Sequence, residues 1–472
     1  MRASFDRRWV ALVVLCLGAL MIVLDTTIVN VALPFIKADL GFSETSLVWV
    51  VNAYMLTFSG FMLLGGRLGD LYGQRRVFLW GLTLFTLASL ACGLANSQHM
   101  LIIARALQGL GGAIVNAVAL ALIMDLFTEP AGKAKAMGFF GFVASGGGAI
   151  GVFLGGILTT IDWHWNFLVN VPLGIIVFGL VMYLLPKNEG RHVKLDIVGA
   201  TTITATLMLA VYAIVNGNAS GWLSMQTLGL LGTAAVLFAT FIYVERKTIE
   251  PLVPLTIFRS GNIAKASLIG ILWSAAMFSW FFLSALYLQI ILGYDPFKVG
   301  MAFLPGNLIM AAFSLGLSAW VVMKYGAKKP LAFGMGLISL GLMNFAIAPE
   351  DGSFLLNVIP GMILLGCGAG LAFNPVLMLA TDGIPHKESG LASGVLNTAF
   401  MMGGSLGLAI LASLAAWQTE TLTNAGMEHS LALLNGYHLA FLVGGACALV
   451  AAFLSFRLKE IANTGNSPVV MH

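Results

Sequence analysis

Apolar runs of about 20 residues, separated by short clusters of charged and turn-forming residues, recur along the whole chain. Each run is long enough to cross the hydrocarbon core of a bilayer as an α-helix. The alternating pattern of a β-barrel strand is absent, so a helical bundle is the expected spanning structure. We predict fourteen transmembrane helices, at roughly 10–33, 46–66, 77–95, 100–124, 135–160, 166–185, 196–216, 226–244, 263–291, 299–322, 331–348, 355–380, 390–416 and 433–456.

Composition supports a membrane protein and excludes several other classes. Hydrophobic residues make up 59% of the chain and charged residues only 9%, whereas soluble domains are about a quarter charged. The 55 glycines suit helices that pack closely in lipid. The four cysteines are scattered singly, which argues against a disulfide framework or a zinc site. We therefore expect no metal and no cofactor.

The distribution of basic residues predicts the orientation. With an even number of helices, both termini lie on one side of the membrane. If that side is the cytoplasm, only Lys37, Arg105 and Lys298 fall elsewhere, and the cytoplasmic segments hold the remaining 21 of 24 Lys and Arg. This asymmetry predicts a multi-pass membrane protein with cytoplasmic termini. We expect a bacterial inner membrane as its location. The net charge of +4 then reflects topology and gives no indication of nucleic-acid binding.

An internal repeat predicts two related halves. The segment 72–76 (YGQRR) follows the second helix, and the segment 325–329 (YGAKK) follows the tenth. Parallel repeats of this kind are typical of transporters whose substrate site lies between the halves. We predict a six-helix half at 1–194, two inserted helices and a linker at 195–262, and a second six-helix half at 263–472.

Asp25 is the most informative single residue. It is the only charge in the apolar run 9–35. An acid at that depth costs several kcal/mol, so it marks a polar cavity or an ion pathway by default. A proton is the simplest charged species for such a site to handle.

The loop after the second helix carries a recognisable motif. The segment 66–76 (GRLGDLYGQRR) resembles the loop signature of the major facilitator superfamily. The resemblance implies a charge latch that holds one gate closed, formed by Gly66, Asp70, Gly73, Arg75 and Arg76. Cations suit the helix C-terminus at Asp70, and Gly73 permits a tight reversal. The alternative is a solvated turn that only obeys the charge rule for orientation.

Further segments resemble the fourteen-helix drug:proton antiporters of that superfamily. The segment 24–34 (LDTTIVNVALP) is similar to their first-helix signature, and 105–109 (RALQG) to the fourth-helix motif associated with proton transfer. The fifth-helix antiporter motif is represented by Gly147, Gly151, Gly155 and Gly156, with Val152 in place of its usual proline. The segment 163–172 also matches, with His164 where arginine is usual. Glycines four residues apart form a close-packing helix face.

Asp25 and Arg105 are predicted to share a level in the outer half of the bundle, because the first helix runs outward and the fourth inward. Burial opposes the charged carboxylate and a neighbouring guanidinium supports it, which suits a site that exchanges a proton. Our hypothesis is that deprotonated Asp25 favours loading from the cytoplasm and that protonation from outside favours release. The alternative is a permanent ion pair that only fixes helix packing.

Substrate contacts are predicted from aromatic, Met and uncharged polar residues inside the helices. Such surfaces accommodate varied apolar or cationic ligands. The alternative is an ordinary packing or lipid-facing stripe. The candidates are Asn30, Asn52, Gln108, Trp273, Met277, Trp280, Tyr287, Gln289, Asn307, Asn374 and Asn397.

The predicted function is proton-coupled antiport that exports amphipathic or cationic small molecules by alternating access, with the proton gradient as the energy source and a monomer in the lipid bilayer as the working unit. Export of one metabolite, peptide, siderophore or lipid is the second transporter hypothesis. A membrane enzyme is disfavoured because no catalytic motif such as HExxH or GxSxG occurs. A receptor or scaffold is the remaining alternative, and it usually has a sizeable soluble domain, which the sequence does not indicate.

Overall fold

The computed structural model describes residues 2–127, 129–186, 190, 196–248, 251, 253, 255–259, 261–382 and 389–459. Within them the chain forms fourteen long helices and no strand, as expected for a helical membrane protein. They are α1 (Arg2–Leu40), α2 (Trp49–Tyr72), α3 (Gln74–Cys92), α4 (Gln98–Leu126), α5 (Pro130–Ile161), α6 (Trp165–Leu184), α7 (Ile197–Ser220), α8 (Met225–Lys247), α9 (Ile263–Ile291), α10 (Pro296–Ala312, continued through a π-helical turn by Ser318–Tyr325), α11 (Lys328–Ala346), α12 (Phe354–Thr381), α13 (Ser389–Asn424) and α14 (His429–Ser455).

Eleven helices of the described chain are long and apolar enough to cross a membrane, and α2 makes a twelfth if its bent parts count as one span. The helical class is thus confirmed, while fourteen membrane crossings stay a prediction. In α9, 72% of the most apolar stretch is buried inside the protein, against 17% in α8. Accordingly α9 lies in the interior and α8 at the periphery.

The predicted boundaries agree best where apolar and helical segments coincide. The prediction for α9 is correct at both ends, whereas α1 and α13 extend several residues beyond theirs. α1 continues through Lys37 and Asp39 to Leu40, and α13 continues through Glu420 to Asn424. Hydropathy locates the apolar part of a helix, and these two helices continue into polar ends that it does not register.

The helices pack as two groups. In the first, α4 packs against α2 and α3, and α1 packs against α4, α5 and α6. In the second, α9 packs against α13 and α14, while α12 packs against α10 and α11. α7 packs against α8 and also contacts α2 and α13.

Two main seams join the groups, α2 with α13 and α5 with α10. Small residues set the second seam: a Cβ added to Gly156 would lie 2.7 Å from the carbonyl oxygen of Pro296 and 3.3 Å from the Cα of Gly300. At the first seam, Nδ2 of Asn397 lies 3.4 Å from Sδ of Met62. The groups therefore touch through side chains at one seam and nearly through backbone at the other.

The repeated Tyr-Gly segments have the same local geometry. Tyr72 ends α2 and Tyr325 ends α10, and the glycines that follow have positive φ, 89° at Gly73 and 76° at Gly326. Glycine reaches this region without steric cost, so each reversal of the chain depends on it. This matches the tight turn predicted at Gly73.

Candidate functional site: a buried ion pair between helices

Asp25 lies in the middle of α1 and is completely buried. Its Oδ2 accepts a hydrogen bond of 2.5 Å from Nη1 of Arg105 on α4, which is itself only 1% exposed. The structure thus brings together the two charges that the sequence predicts at one level. Among the described residues, this is the one Lys- or Arg-to-carboxylate pair whose partners are both buried.

Two amides complete the coordination of the carboxylate. Nε2 of Gln108 donates to Oδ1 of Asp25 at 2.6 Å, and Nδ2 of Asn170 on α6 donates to the same oxygen at 3.2 Å. Asp25, Arg105, Gln108 and Asn170 are called the Asp25 network below. All three groups that hydrogen-bond the carboxylate are donors, so this geometry corresponds to its deprotonated form.

Arg105 is held from a second direction by α2 and α6. Its Nε donates to the carbonyl oxygen of Val50 at 2.8 Å. Its guanidinium carbon lies 4.5 Å from the ring centre of Tyr54 and 5.6 Å from that of Phe167. The aromatic faces stabilise the cation where water is excluded. Arg105 is therefore fixed whether or not Asp25 is charged.

Gln108 connects the ion pair to α3. Its Oε1 accepts from Nη1 of Arg105 at 2.7 Å, and its Nε2 also donates to Oγ of Ser89 at 2.8 Å. Sγ of Cys92 lies 3.6 Å from the same amide oxygen. One charge thus organises contacts among α1, α2, α3, α4 and α6.

The glycine motif of α5 lies against α1 on both sides of Asp25. A Cβ on Gly147 would meet Leu20 and Val23, one on Gly151 would meet Leu24 and Thr27, and one on Gly155 would meet Ile28. Gly156 faces α10 instead, as described above. Three of the four glycines therefore let α1 approach α5 closely, and the fourth serves the seam between the groups.

The loop motif 66–76 is only partly explained by packing. Asp70 and Arg76 are exposed, and a Cβ on Gly66 would meet nothing within 4 Å. Arg75 is buried, and its Nη2 donates to the carbonyl oxygen of Met182 on α6 at 2.6 Å. This contact with α6 was not predicted from the sequence. The charge latch stays a prediction.

The predicted substrate-cavity residues fall into distinct environments. Gln108 belongs to the Asp25 network, and Nδ2 of Asn30 reaches only carbonyl oxygens of its own helix. The hydroxyl of Tyr287 donates to Pro349 at 2.9 Å, so it ties α9 to the next loop. The other candidates are partly or fully buried within the helices: Asn52, Trp273, Met277, Trp280, Gln289, Asn307, Asn374 and Asn397. Burial of the α9 residues argues against a lipid-facing stripe.

An aromatic cluster lies in the second group of helices. Trp273 on α9 packs against Phe373 on α12 and Phe400 on α13, with ring centres 5.6 and 5.3 Å away. Its indole Nε1 is buried and has no hydrogen-bond partner within the described residues. Both amide atoms of Asn52 are similarly unpartnered. Such groups are expected where a ligand or water completes the hydrogen bonds.

Sequence reasoning did not select three contributors to the site: Asn170, Ser89 and Tyr54. Asn170 lies in the segment 163–172, whose motif could have identified it. Ser89 and Tyr54 occur in apolar helices with no motif around them, and only the packing of α2 and α3 on α4 brings them to the ion pair.

Comparison with known proteins gives one family. Residues 15–408 match the family model described as the Major Facilitator Superfamily. The chain is 36% identical to the puromycin resistance protein pur8 of Streptomyces alboniger, over 98% of this chain and 94% of that protein. It is 37% identical to the multidrug resistance protein Stp of Mycobacterium tuberculosis, over 86% of this chain and 76% of that protein.

A similar fold occurs among solved structures. The structure of an auto-inhibited peptide transporter of the POT family aligns with a TM-score of 0.69 at 15% identity, over 97% of this chain and 99% of that one. At this identity the likeness concerns the fold alone.

We predict that Arg105→Met destabilises the protein by about 3–5 kcal/mol, because the Asp25 carboxylate would stay buried without its counter-charge. Adding Asp25→Asn should restore much of that stability, since both charges are then gone. Thermal unfolding of the purified protein in detergent measures both effects. Lys37→Met is the control, because it removes the half-exposed Lys37–Glu44 pair and should cost at most about 1 kcal/mol. Equal effects of Arg105→Met and Lys37→Met would contradict the role assigned to the buried pair.

We predict that Gly155→Ala lowers the unfolding temperature by several degrees, because the added methyl group would lie 2.7 Å from the backbone oxygen of Ile28. Gly148→Ala is the matched control on the same helix, because its methyl group would meet only Thr27, at 3.9 Å. It should leave stability unchanged or slightly raised. If the two variants unfold at the same temperature, the close approach of α1 and α5 is not what the glycines provide.

Proposed function

This chain belongs to the major facilitator superfamily, and from that premise we propose that it exports amphipathic or cationic small molecules in exchange for protons, by alternating access. Its similarity to antibiotic and multidrug resistance proteins supports drug efflux. Membership of a transporter family identifies a multi-pass membrane transporter for small molecules, not an enzyme. Proton coupling, the absence of a cofactor and the monomeric state are parts of the proposal.

The observation that carries the proposal is the Asp25 network. A carboxylate in an apolar bundle is costly, and a pair that served stability alone could be replaced by packed apolar residues at little or no loss. Here the pair is supplied with two amide donors and two aromatic rings. These donors stabilise the charged form while burial opposes it, and the balance between the two suits a group that exchanges a proton inside the membrane.

Protonation of Asp25 would change what the network can bind. A neutral carboxyl attracts Arg105 less, and its new O–H needs an acceptor. The amide oxygens of Gln108 and Asn170 are the acceptors that the network offers. That of Gln108 already accepts from Arg105, whereas that of Asn170 has no partner among the described residues, so rotation of the Asn170 amide would supply one. The link between α1 and α4 then weakens, while Arg105 remains held by Val50 and Tyr54. Protonation of Asp25 would therefore allow α1 to move relative to α4.

The coupling follows from this movement. We propose that deprotonated Asp25 stabilises the state that loads substrate from the cytoplasm, and that protonation from outside stabilises the state that releases it. The rocking units are the halves 1–194 and 263–472, which meet at the α2–α13 and α5–α10 seams, with 195–262 as an accessory pair of helices. The charge latch at 66–76 would hold one gate closed. In the orientation predicted from Lys and Arg, both termini lie in the cytoplasm of a bacterium.

The aromatic cluster of Trp273, Phe373 and Phe400 is proposed as the wall that contacts the substrate. Its ring faces attract cations and apolar bodies without requiring one shape, and the unpartnered indole Nε1 offers a donor. The name of pur8 refers to one antibiotic and that of Stp to many drugs, so export of a single compound is the second candidate.

We predict that Asp25→Asn abolishes transport driven by a pH gradient, because asparagine cannot exchange a proton. The measurement is the transport of ethidium by proteoliposomes with an imposed pH gradient. A panel of other compounds, which includes uncharged drugs, metabolites, peptides, siderophores and lipids, is tested in the same way. Asp39→Asn is the control: it changes the same residue type on the same helix at an exposed position, and the asparagine amide oxygen can still accept the hydrogen bond that the indole of Trp163 donates to Asp39. Its transport should equal that of the wild type.

Full gradient-driven transport by Asp25→Asn would overturn proton coupling at this residue. Transport of one substrate alone from the panel would favour the second candidate. If the wild type transports none of these substrates, the alternative hypothesis that the protein is a receptor or scaffold would be favoured.

A further inference from the structure

A cavity of about 290 Å³ lies at the end of the bundle that the distribution of Lys and Arg predicts to be extracytoplasmic. Residues of α9, α13, α14 and the α1–α2 loop line it, and none of the four residues of the Asp25 network belongs to this lining. It is called the outer cavity below. It is distinct from the proton site and from the aromatic cluster of Trp273.

The inner surface of the outer cavity is apolar and aromatic. Leu283, Leu286, Ala415 and Leu433 form much of it, and Phe282 adds a ring. All five are buried within the protein. Ligand sites generally combine such a lining with a few polar groups that fix orientation.

Tyr437 on α14 supplies one of these polar groups. The side chain lines the cavity and is 2% exposed, yet its hydroxyl has no hydrogen-bond partner in the part of the chain that the structure describes. An unsatisfied buried hydroxyl is costly, and buried tyrosines usually find a partner. Tyr287, also almost fully buried, does so through Pro349. A ligand or water in the cavity would complete the bonding of Tyr437.

The titratable groups around the cavity are mostly acidic. Glu44 and Glu420 contribute carboxylates, and His429 adds an imidazole. Glu44 already pairs with Lys37, whereas Glu420 is exposed and belongs to none of the three described ion pairs. No Lys or Arg belongs to the lining. The polar end of the cavity therefore favours a cation over an anion.

We propose that the outer cavity is a second binding site, which takes a small organic monocation such as an alkylammonium head group with a short apolar body. The ammonium lies near Glu420 and over the rings of Phe282 and Tyr437, and the Tyr437 hydroxyl bonds a polar atom of the ligand. The volume lies at the lower end for ligand sites, so a whole large drug does not fit. The proposal does not depend on transport.

The test uses the full chain in lipid nanodiscs with Ala416→Cys, which puts a thiol in the cavity lining. Choline and its neutral isostere 3,3-dimethyl-1-butanol are compared for their ability to slow labelling by a thiol reagent, with labelling of the unmodified protein subtracted. Choline should protect the thiol and the isostere should protect it at least about fivefold less, because it lacks the charge. Met225→Cys, exposed at the same end of the bundle, should be protected by neither.

Second variants locate the binding groups. In the Ala416→Cys background, Tyr437→Phe and Glu420→Gln should each raise the half-protecting choline concentration by about fivefold. Glu428→Gln, an exposed acid outside the lining, should leave it unchanged. Equal protection by the two compounds, protection that survives both substitutions, or none at any concentration would overturn the proposal. Because no gradient is applied, these outcomes are independent of whether the protein exports drugs.

Discussion

The desolvation of one carboxylate is the constraint on which the rest of the first helix group depends. Asp25 has no contact with solvent, so donors from neighbouring helices must replace the water it has lost. Arg105 and Gln108 come from α4 and Asn170 from α6, while α2 positions Arg105 through Val50. A small shift in the position of any of these helices changes the free energy of the deprotonated carboxylate. Conversely, protonation of the carboxylate changes how favourably the helices pack. That reciprocity is what a coupled carrier requires.

The two helix groups differ in the interactions at their centres: the first contains a buried ion pair, and the second contains a cluster of aromatic rings. In the first group, glycines on α5 let α1 approach α5 closely, while the partners of Asp25 come from α4 and α6. In the second group, aromatic rings around Trp273 provide a surface of little shape preference. In the proposed mechanism, the first group binds the proton with strict geometry, the second accommodates the substrate loosely, and the seams at α2–α13 and α5–α10 transmit changes between them.

Much of this was predictable from the sequence, and the exceptions have physical causes. Apolar runs located all fourteen helices, because a membrane span must satisfy its backbone internally and be apolar along most of its length. The pairing of Asp25 with Arg105 followed from depth and direction alone. Ser89 and Tyr54 were missed because only helix packing brings them to the site, and the contact of Arg75 with α6 was missed because the loop motif suggested a partner within the loop. Hydropathy and motifs describe elements, and contacts between elements require the fold.

In the proposed mechanism, a proton and a substrate favour opposite charge states of one residue, Asp25. The most direct measurement is proton release when substrate is added to the purified protein in weakly buffered detergent, followed with a pH indicator. We expect the wild type to release protons on binding a cationic substrate at a pH where Asp25 is partly protonated, and Asp25→Asn to bind the same substrate without releasing any. Equal proton release by the two proteins would contradict it.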